Sequence, residues 1–369
     1  VTMATFVIAE DEFWQPGLDL AAALRQRGQF VVRLTAEPEP ARSGGLRRWS
    51  KVPNTTVVAA ITPQGVPSAR GLEVLTELAP VDWQAAESIL NWLSQNGFED
   101  ALGFRRSEHL PVHAVQDKRL LSEYLGTQGL SVPRTWSDVD AIGDVPGPFM
   151  FKLRDQGGGE GIHRCEDLSE LRAWATTYEP LPYIVQRFHA GTPVIAAGVA
   201  REGAVVQMMT YVSVLNPRTP FRMAYGLRVV DAPEVYAYAA RVLEVLGITG
   251  PFALDTVPGD DGEPLAVDMN LRIWGSWTAC QAAGMDVIGS YLYAMGQGAH
   301  PGPVSQGARD AAILRRPPLG VRSVPERLRW VTSEAAEIRR RERWLGPRWA
   351  RCSLRDAVGW TIRGAALDS

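Results

Sequence analysis

Cysteine is scarce and scattered. Cys165, Cys280 and Cys352 make an odd count with no CxxC spacing. That excludes a disulfide framework and a zinc site of paired thiolates, and it fits a reducing, cytoplasmic setting. The five histidines are equally dispersed and no HExxH pattern occurs, so no transition-metal centre is expected. No window approaches the roughly 18–20 uninterrupted apolar residues of a membrane-spanning helix. A formal net charge of −3 argues against a protein that grips nucleic acid by neutralising phosphates. Two nucleotide-binding signatures are also missing: no GK[ST] ends a helical P-loop, and no strand–GxGxxG–helix unit occurs. There is neither an internal repeat nor a low-complexity tract. Residues 1–10 carry no basic stretch, and their apolar run stops at Glu10-Asp11-Glu12. This reads as a first strand and not as a signal peptide.

What remains is an ordinary globular composition, 46% hydrophobic and 21% charged, over 369 residues. A chain this long exceeds one hydrophobic core, so two or three domains are expected. Short apolar runs at 4–9, 30–34 and 55–61 predict strands. Helical spacing at 18–27, stopped by Gly28, and at 81–93, with Trp83, Ile89, Leu90 and Leu93 on one face, predicts helices. Alternating strands and helices imply a parallel sheet covered on both faces. The Pro-, Arg- and Gly-rich stretch 38–53 reads as an exposed loop. From about residue 115 the pattern changes to α+β. Helices are predicted at 117–125, 167–177 and 233–246, the last ended by Gly247. Strands are predicted at 148–153 and 182–187, in a hairpin 193–201/204–212 turning at Glu202-Gly203, and at 252–257 and 265–269 around Gly259-Asp-Asp-Gly262. The expected division is an N-terminal α/β domain over 1–114, a main domain over 115–305 and a basic helical extension over 306–369. From 307 onward fourteen Arg face seven Asp or Glu, a formal +7 that leaves −10 on the rest. The run Arg339 to Arg343 is compatible with an anionic partner. Trp330, Trp344, Trp349 and Trp360 weigh instead for a helix docked on an acidic body.

Two stretches carry chemistry. In the first, Asp255 and Asp268 stand in strands joined by a four-residue turn, so a hairpin can bring them face to face. Asp268, Asn270 and Arg272 recur at every second residue and alternate with Val267, Met269, Leu271 and Ile273, which implies one packed side and one side lining a cavity. Two carboxylates, an amide oxygen and a guanidinium suit a hard cation such as Mg²⁺ and the oxygens of a polyanion. In the second, Lys152 ends a strand before Gly157, Gly158, Gly159, Glu160 and Gly161. Glycines let backbone N–H groups approach phosphates closely, and the lysine adds a point charge. Arg222 and Arg228, near Tyr225, are further candidates for a substrate carboxylate, and Trp274 and Trp277 read as core or pocket walls.

Lys118, then Lys152 with its glycine loop, then Tyr183-Ile-Val-Gln-Arg-Phe-His-Ala-Gly191, then Asp255 and Asp268-Met-Asn-Leu-Arg272 stand in an order that resembles the ATP-grasp superfamily. Biotin carboxylase, carbamoyl-phosphate synthetase and D-alanine–D-alanine ligase belong to that group, and residues 270–276 look most like the carbamoyl-phosphate-synthetase-like branch. The resemblance covers about 115–298. It implies two α+β subdomains gripping ATP, preceded by a small parallel α/β domain. It implies that Lys118 and Lys152 contact ATP phosphates and that the loop from Gly157 to Gly161 folds over them. Gln186 would face the adenine amino group, with the backbone of Arg187 and His189 reading the adenine edge. Asp255, Asp268 and Asn270 would ligate one or two Mg²⁺, with Mn²⁺ as a substitute. Arg272 and Lys152 would stabilise the transferred phosphoryl group. This sequence departs from the family's usual residues at Gln186 and Asp268, where Glu is commoner, and at Pro193, where a ribose-binding Glu is common.

The activity so implied is ligation. A carboxylate is phosphorylated to an acyl phosphate and condensed with an amine, giving amide, ADP and phosphate. Alternatives are carboxylation, phosphoryl transfer, or nucleotide binding without catalysis. The implied partners are small-molecule acids and amines, without nucleic acid or membrane, and a homodimer is compatible with the family.

Overall fold

The computed structural model describes residues 5–9, 15–36, 55–61, 66–69, 72–73, 81–101, 106–154, 156, 158–214, 221, 224, 226–304 and 311–312. The 38–53 loop, Gly157, Arg222, Tyr225, Cys352 and the arginine-rich tail beyond 312 with its tryptophans lie outside the described residues.

The N-terminal sheet is parallel throughout, as expected. β1 (Thr5–Ala9) lies between β2 (Phe30–Ala36) and β4 (Asp82–Ala85), with β3 (Thr55–Ile61) beyond β2. Helix α1 (Gln15–Gln26) crosses from β1 to β2. The helix expected over 81–93 is corrected: β4 comes first, and a shorter helix, α2 (Glu87–Gln95), follows. Trp83 is therefore a fully buried strand residue and not part of a helical face. Its spacing to Ile89 misleads because β4 also buries Asp82 and Gln84, whose polar partners lie far along the chain. Helices α3 (Phe98–Ala101), α4 (Val112–Gln116) and α5 (Lys118–Thr127) lead out of this sheet.

A small antiparallel sheet follows. Its strands are β5 (Thr135–Trp136), β6 (Phe149–Leu153), β7 (Ile162–Cys165) and β8 (Tyr183–Arg187), in the order β5-β8-β6-β7. Helix α6 (Leu168–Tyr178) covers one face, its first turn capped by the Asp167 carboxylate. Phe149, Phe151, Leu153, Trp136, Leu171 and Val185 form a core confined to this unit.

The large sheet contains the two expected hairpins. β9 (Val194–Arg201) pairs with β10 (Ala204–Val214), and β12 (Gly250–Pro258) pairs with β13 (Pro264–Asn270). With β11 (Gly226–Val229) and β14 (Ala311–Ala312) the order is β13-β12-β9-β10-β11-β14, antiparallel at every pairing. Helix α7 (Pro233–Leu246) begins at a proline and ends at Gly247 in the left-handed region, φ 62°. Helices α8 (Trp277–Ala282) and α9 (Val287–Ala294) pack back towards the N-terminal sheet. One continuous apolar core joins these two sheets, with the Phe6 ring 5.6 Å from that of Tyr291. Burying a side chain such as Phe252 in it contributes about 1.5–3 kcal/mol. Among the described residues no helix is long and apolar enough to cross a membrane.

Candidate active site

Strand periodicity decides which side chains of the small sheet face the large one. Phe149, Phe151 and Leu153 point into the small core, so Met150 and Lys152 take the opposite face. The β6–β8 register sets Gln186 beside Met150 and Ile184 beside Lys152 on that same face. Lys152 is 6% exposed, and its Nζ lies 3.4 Å from the carbonyl of Val267 in the large sheet. Val267 offers that carbonyl because the β12–β13 ladder carries a bulge: Asp255 pairs with Asp268, the next pair is Thr256 with Ala266, and Val267 is left over.

Asp255 and Asp268 therefore stand directly opposite each other, and Asn270, opposite Ala253, shares their face. Met269 is buried on the other side of β13, and Leu271 and Ile273 beyond the strand are buried too. Val267, expected on the packed side, is the bulge residue and only partly buried. Lys118 opens α5, where the Asp117 carboxylate accepts from Arg119 N at 2.9 Å and Leu120 N at 3.1 Å. From there its Nζ reaches the Gln156 carbonyl at 2.9 Å and Asp268 Oδ1 at 3.7 Å. Asp117 has a second partner, Arg154 at 2.6 Å, so one carboxylate caps the helix that bears Lys118 and anchors the chain just past Lys152.

The electrostatics follow from this crowding. Burial pulls the Lys152 amino group down to about 8, with Asp268 opposing and Lys118 adding to the fall. Asp255 is pushed well up from the carboxylate range, first by burial and then by repulsion from Asp268, while Lys152 and Lys118 partly offset both. Two half-buried carboxylates that repel each other are a donor set a hard divalent cation relieves. The described residues hold no cluster of three or more His, Cys, Asp or Glu. A carboxylate pair is a donor set of the kind Mg²⁺ takes, since that ion uses one or two carboxylates and completes its shell with water and phosphate oxygens.

The glycine turn adjoins this corner. Gly158, Gly159 and Gly161 have φ of 66°, 79° and 63°, conformations open to glycine. At Gly161 a Cβ would stand 2.4 Å from Leu153 Cγ. Further along the same face of β8, Gln186 is buried. Its amide nitrogen donates to Thr135 Oγ1 at 3.1 Å, and its Oε1 has no hydrogen-bond partner. Arg187 and His189 both meet Asp260 of the β12–β13 turn, at 3.8 Å and 3.2 Å. Beside them Gly191 passes Pro258 so closely that a Cβ would lie 2.4 Å from the proline ring.

Arg272 is held by a different element. β13 ends at Asn270, so Arg272 lies beyond the strand that carries Asp268 and Asn270. Its NH2 lies 3.1 Å from Glu87 Oε2, at the start of α2. Trp274 and Trp277 are buried walls, and Arg228 lies in β11 beside Val212. Sequence reasoning missed Asp117, Gln84, Glu87, and the Tyr211 hydroxyl that meets Ser276 Oγ at 2.7 Å on the carboxylate side of the large sheet. Asp117 had a legible signal, a capping residue immediately before an amphipathic helix. The others had none, since each is defined by a partner distant in sequence.

No family model matches the chain and no curated protein does. Solved structures do. The L-amino acid ligase from Bacillus licheniformis is similar at TM-score 0.60 and 15% identity, over 80% of this chain and 74% of that one. The N5-carboxyaminoimidazole ribonucleotide synthetase from Thermotoga maritima is similar at 0.60 and 17%, over 82% and 78%. The biotin carboxylase domain of the Hydrogenobacter thermophilus 2-oxoglutarate carboxylase, solved with MgADP, ADP and bicarbonate, is similar at 0.62 and 14%, over 84% and 73%. The chain has the ATP-grasp fold. The small and large antiparallel sheets follow the parallel sheet along the chain.

Proposed function

We propose that this protein is an ATP-dependent ligase that phosphorylates a carboxylate and condenses the acyl phosphate with an amine. The observation that carries the reading is the Asp255–Asp268 pair with the buried amino groups of Lys118 and Lys152 beside it. Bound between Asp255, Asp268 and Asn270, one or two Mg²⁺ would polarise phosphate oxygens and neutralise charge. Lys118 and Lys152 hold phosphate oxygens from the other side. Gln186 Oε1, buried and unpartnered, accepts from the exocyclic amine of adenine, and the backbone of Arg187 and His189 reads the ring edge. The turn from Gly157 to Gly161 closes over the phosphates and excludes water, which would otherwise hydrolyse an acyl phosphate. Arg272 holds charge on the transferred group.

In the first step a carboxylate oxygen attacks the γ-phosphorus, and the bond to the bridging oxygen breaks to release ADP. In the second an amine nitrogen attacks the acyl carbon, phosphate leaves, and the nitrogen loses a proton. Positioning and charge cancellation do most of the work in such transfers, which is what this side-chain set can offer. The ligase named for the Bacillus licheniformis structure supports this reading, and the MgADP held by the Hydrogenobacter one supports the nucleotide and the metal.

The test is phosphate release from MgATP against a panel of acids and amines, with product masses. Free phosphate stoichiometric with a condensed product is expected. A phosphorylated acceptor without free phosphate, or tight ATP binding with no turnover across the panel, would overturn the reading.

A further inference from the structure

Arg272 stands on a stretch with no ladder to hold it, because β13 stops two residues earlier. A guanidinium on such a stretch samples several rotamers unless something else fixes it. Here two contacts fix it, and both come from the corner where β4 gives way to α2. Gln84 Oε1 accepts from the backbone N–H of Ile273 at 2.7 Å, and Glu87 Oε2 meets Arg272 NH2 at 3.1 Å. Arg272 NH1 turns back to the Ile273 carbonyl at 3.3 Å.

The corner is itself anchored. Gln84 is 1% exposed, and its amide donates to Asp82 Oδ2 at 3.3 Å. Asp82 pairs with Arg106 at 2.7 Å and also accepts from the Tyr291 hydroxyl, all of them buried. Arg106 in turn donates to the Trp83 carbonyl. The chain of contacts thus runs from the interior of the N-terminal sheet to the tip of Arg272. A tie that served only to hold two sheets together could fall anywhere along their shared core. These two fall on consecutive residues, Arg272 and Ile273, and leave Arg272 Nε buried with no partner.

We infer that Gln84 and Glu87 are positioning residues for Arg272, so that the N-terminal sheet completes the charge-stabilising side of the site. The inference rests on the proposed role of Arg272. A carboxylate 3.1 Å from NH2 directs the guanidinium, NH1 turns to the Ile273 carbonyl, and the unpartnered Nε–H is the donor left for an anion. Without Glu87 the side chain keeps its charge and loses its aim. A misplacement of about 1 Å can cost about 100-fold in rate.

The test uses full-length Glu87→Gln, Glu87→Ala, Glu87→Asp and Arg272→Ala. It follows phosphate release from MgATP with an equimolar mixture of the twenty common amino acids plus bicarbonate, together with thermal unfolding. Glu87→Gln should lower kcat about 10-fold and Glu87→Ala about 100-fold. The KM for MgATP should stay within about 3-fold and the unfolding temperature should hold, because a positioning defect acts on the transfer and not on binding. Glu87→Asp should recover part of the loss. Independently of turnover, the side-chain Nε–H resonance of Arg272, assigned by its loss in Arg272→Ala, should broaden or average in Glu87→Gln. A kcat for Glu87→Gln within 2-fold of the unsubstituted protein, while Arg272→Ala is inactive, overturns the inference and spares the ligase reading. A raised kcat overturns it as well and makes the pair a brake. Full turnover in Arg272→Ala removes Arg272 from the chemistry, and silence of the unsubstituted protein sinks the ligase reading itself.

Discussion

The large sheet meets its two neighbours in opposite ways. Against the N-terminal sheet it shares apolar side chains, so that Phe6, Trp83, Phe252, Trp274 and Tyr291 belong to one core. Against the small sheet the described contacts include polar ones: Lys152 with the Val267 carbonyl, and Arg187 and His189, at and just past the end of β8, with Asp260. The small sheet keeps a separate core of its own around Phe149, Phe151 and Trp136. A shared apolar core makes two sheets one body, because separating them exposes hydrocarbon to water. Contacts between polar groups exchange with water at little net cost. The seam built of such contacts is therefore the easier of the two to separate, and the fused pair of sheets stands as one body beside it.

That comparison can be broken at the seam or within either core. The largest effect is expected at Asp268, a carboxylate of the large sheet. Asp268→Asn should reduce Mg²⁺-dependent phosphate release on the order of 10³-fold with the fold intact. Undiminished release at saturating Mg²⁺ would count against the metal assignment. Next is Lys152, the seam cation of the small sheet. Lys152→Met should lower turnover about 100-fold while the unfolding temperature holds or rises, since it removes a buried ammonium and keeps the volume. A large fall in unfolding temperature would make the lysine structural.

Phe151→Ala should cost about 3–5 kcal/mol, and that loss should stay local. Hydrogen exchange would show β6, β7 and β8 losing protection while β1, β9 and β12 keep theirs. Phe252→Ala, by contrast, should lower protection across the N-terminal and large sheets together. If either variant unfolds all three sheets as one unit, the distinction between the two junctions fails. The smallest effect is expected at Asp260, which is 74% exposed at its pairing with His189. Asp260→Asn should change stability by less than about 1 kcal/mol, and a KM for MgATP within about 3-fold would agree with a clasp that is not essential.

Legibility followed sequence distance. Asp255 and Asp268 are visible because one short turn joins their strands, and the alternation beyond Asp268 marks a packed side. Lys152 is visible because it stands near the end of a strand, shortly before the glycine run that starts at Gly157. Lys118 entered only through resemblance. A compositional signal stood beside it: the chain has three lysines against thirty-five arginines, and two of the three sit buried at this site. The strand hidden in the supposed 81–93 helix escaped because its polar residues are satisfied across the molecule. Arg272 meets Glu87 across 185 residues of chain, and Ile273 meets Gln84 across 189. No window of sequence contains both ends of either contact.

By itself the sequence determined the strand and helix alternation, the two hairpins of the large sheet, and the carboxylate pair that one of them presents. Periodicity, turn chemistry and glycine placement act over a few residues, and all of that is local. Only the tertiary structure decided that a bulge turns the Val267 carbonyl to Lys152, that Asp117 serves two elements at once, and that Arg272 meets Glu87 beside the N-terminal sheet. Those outcomes depend on which surfaces meet when apolar faces are buried, and the meeting brings together polar groups that the chain itself keeps far apart.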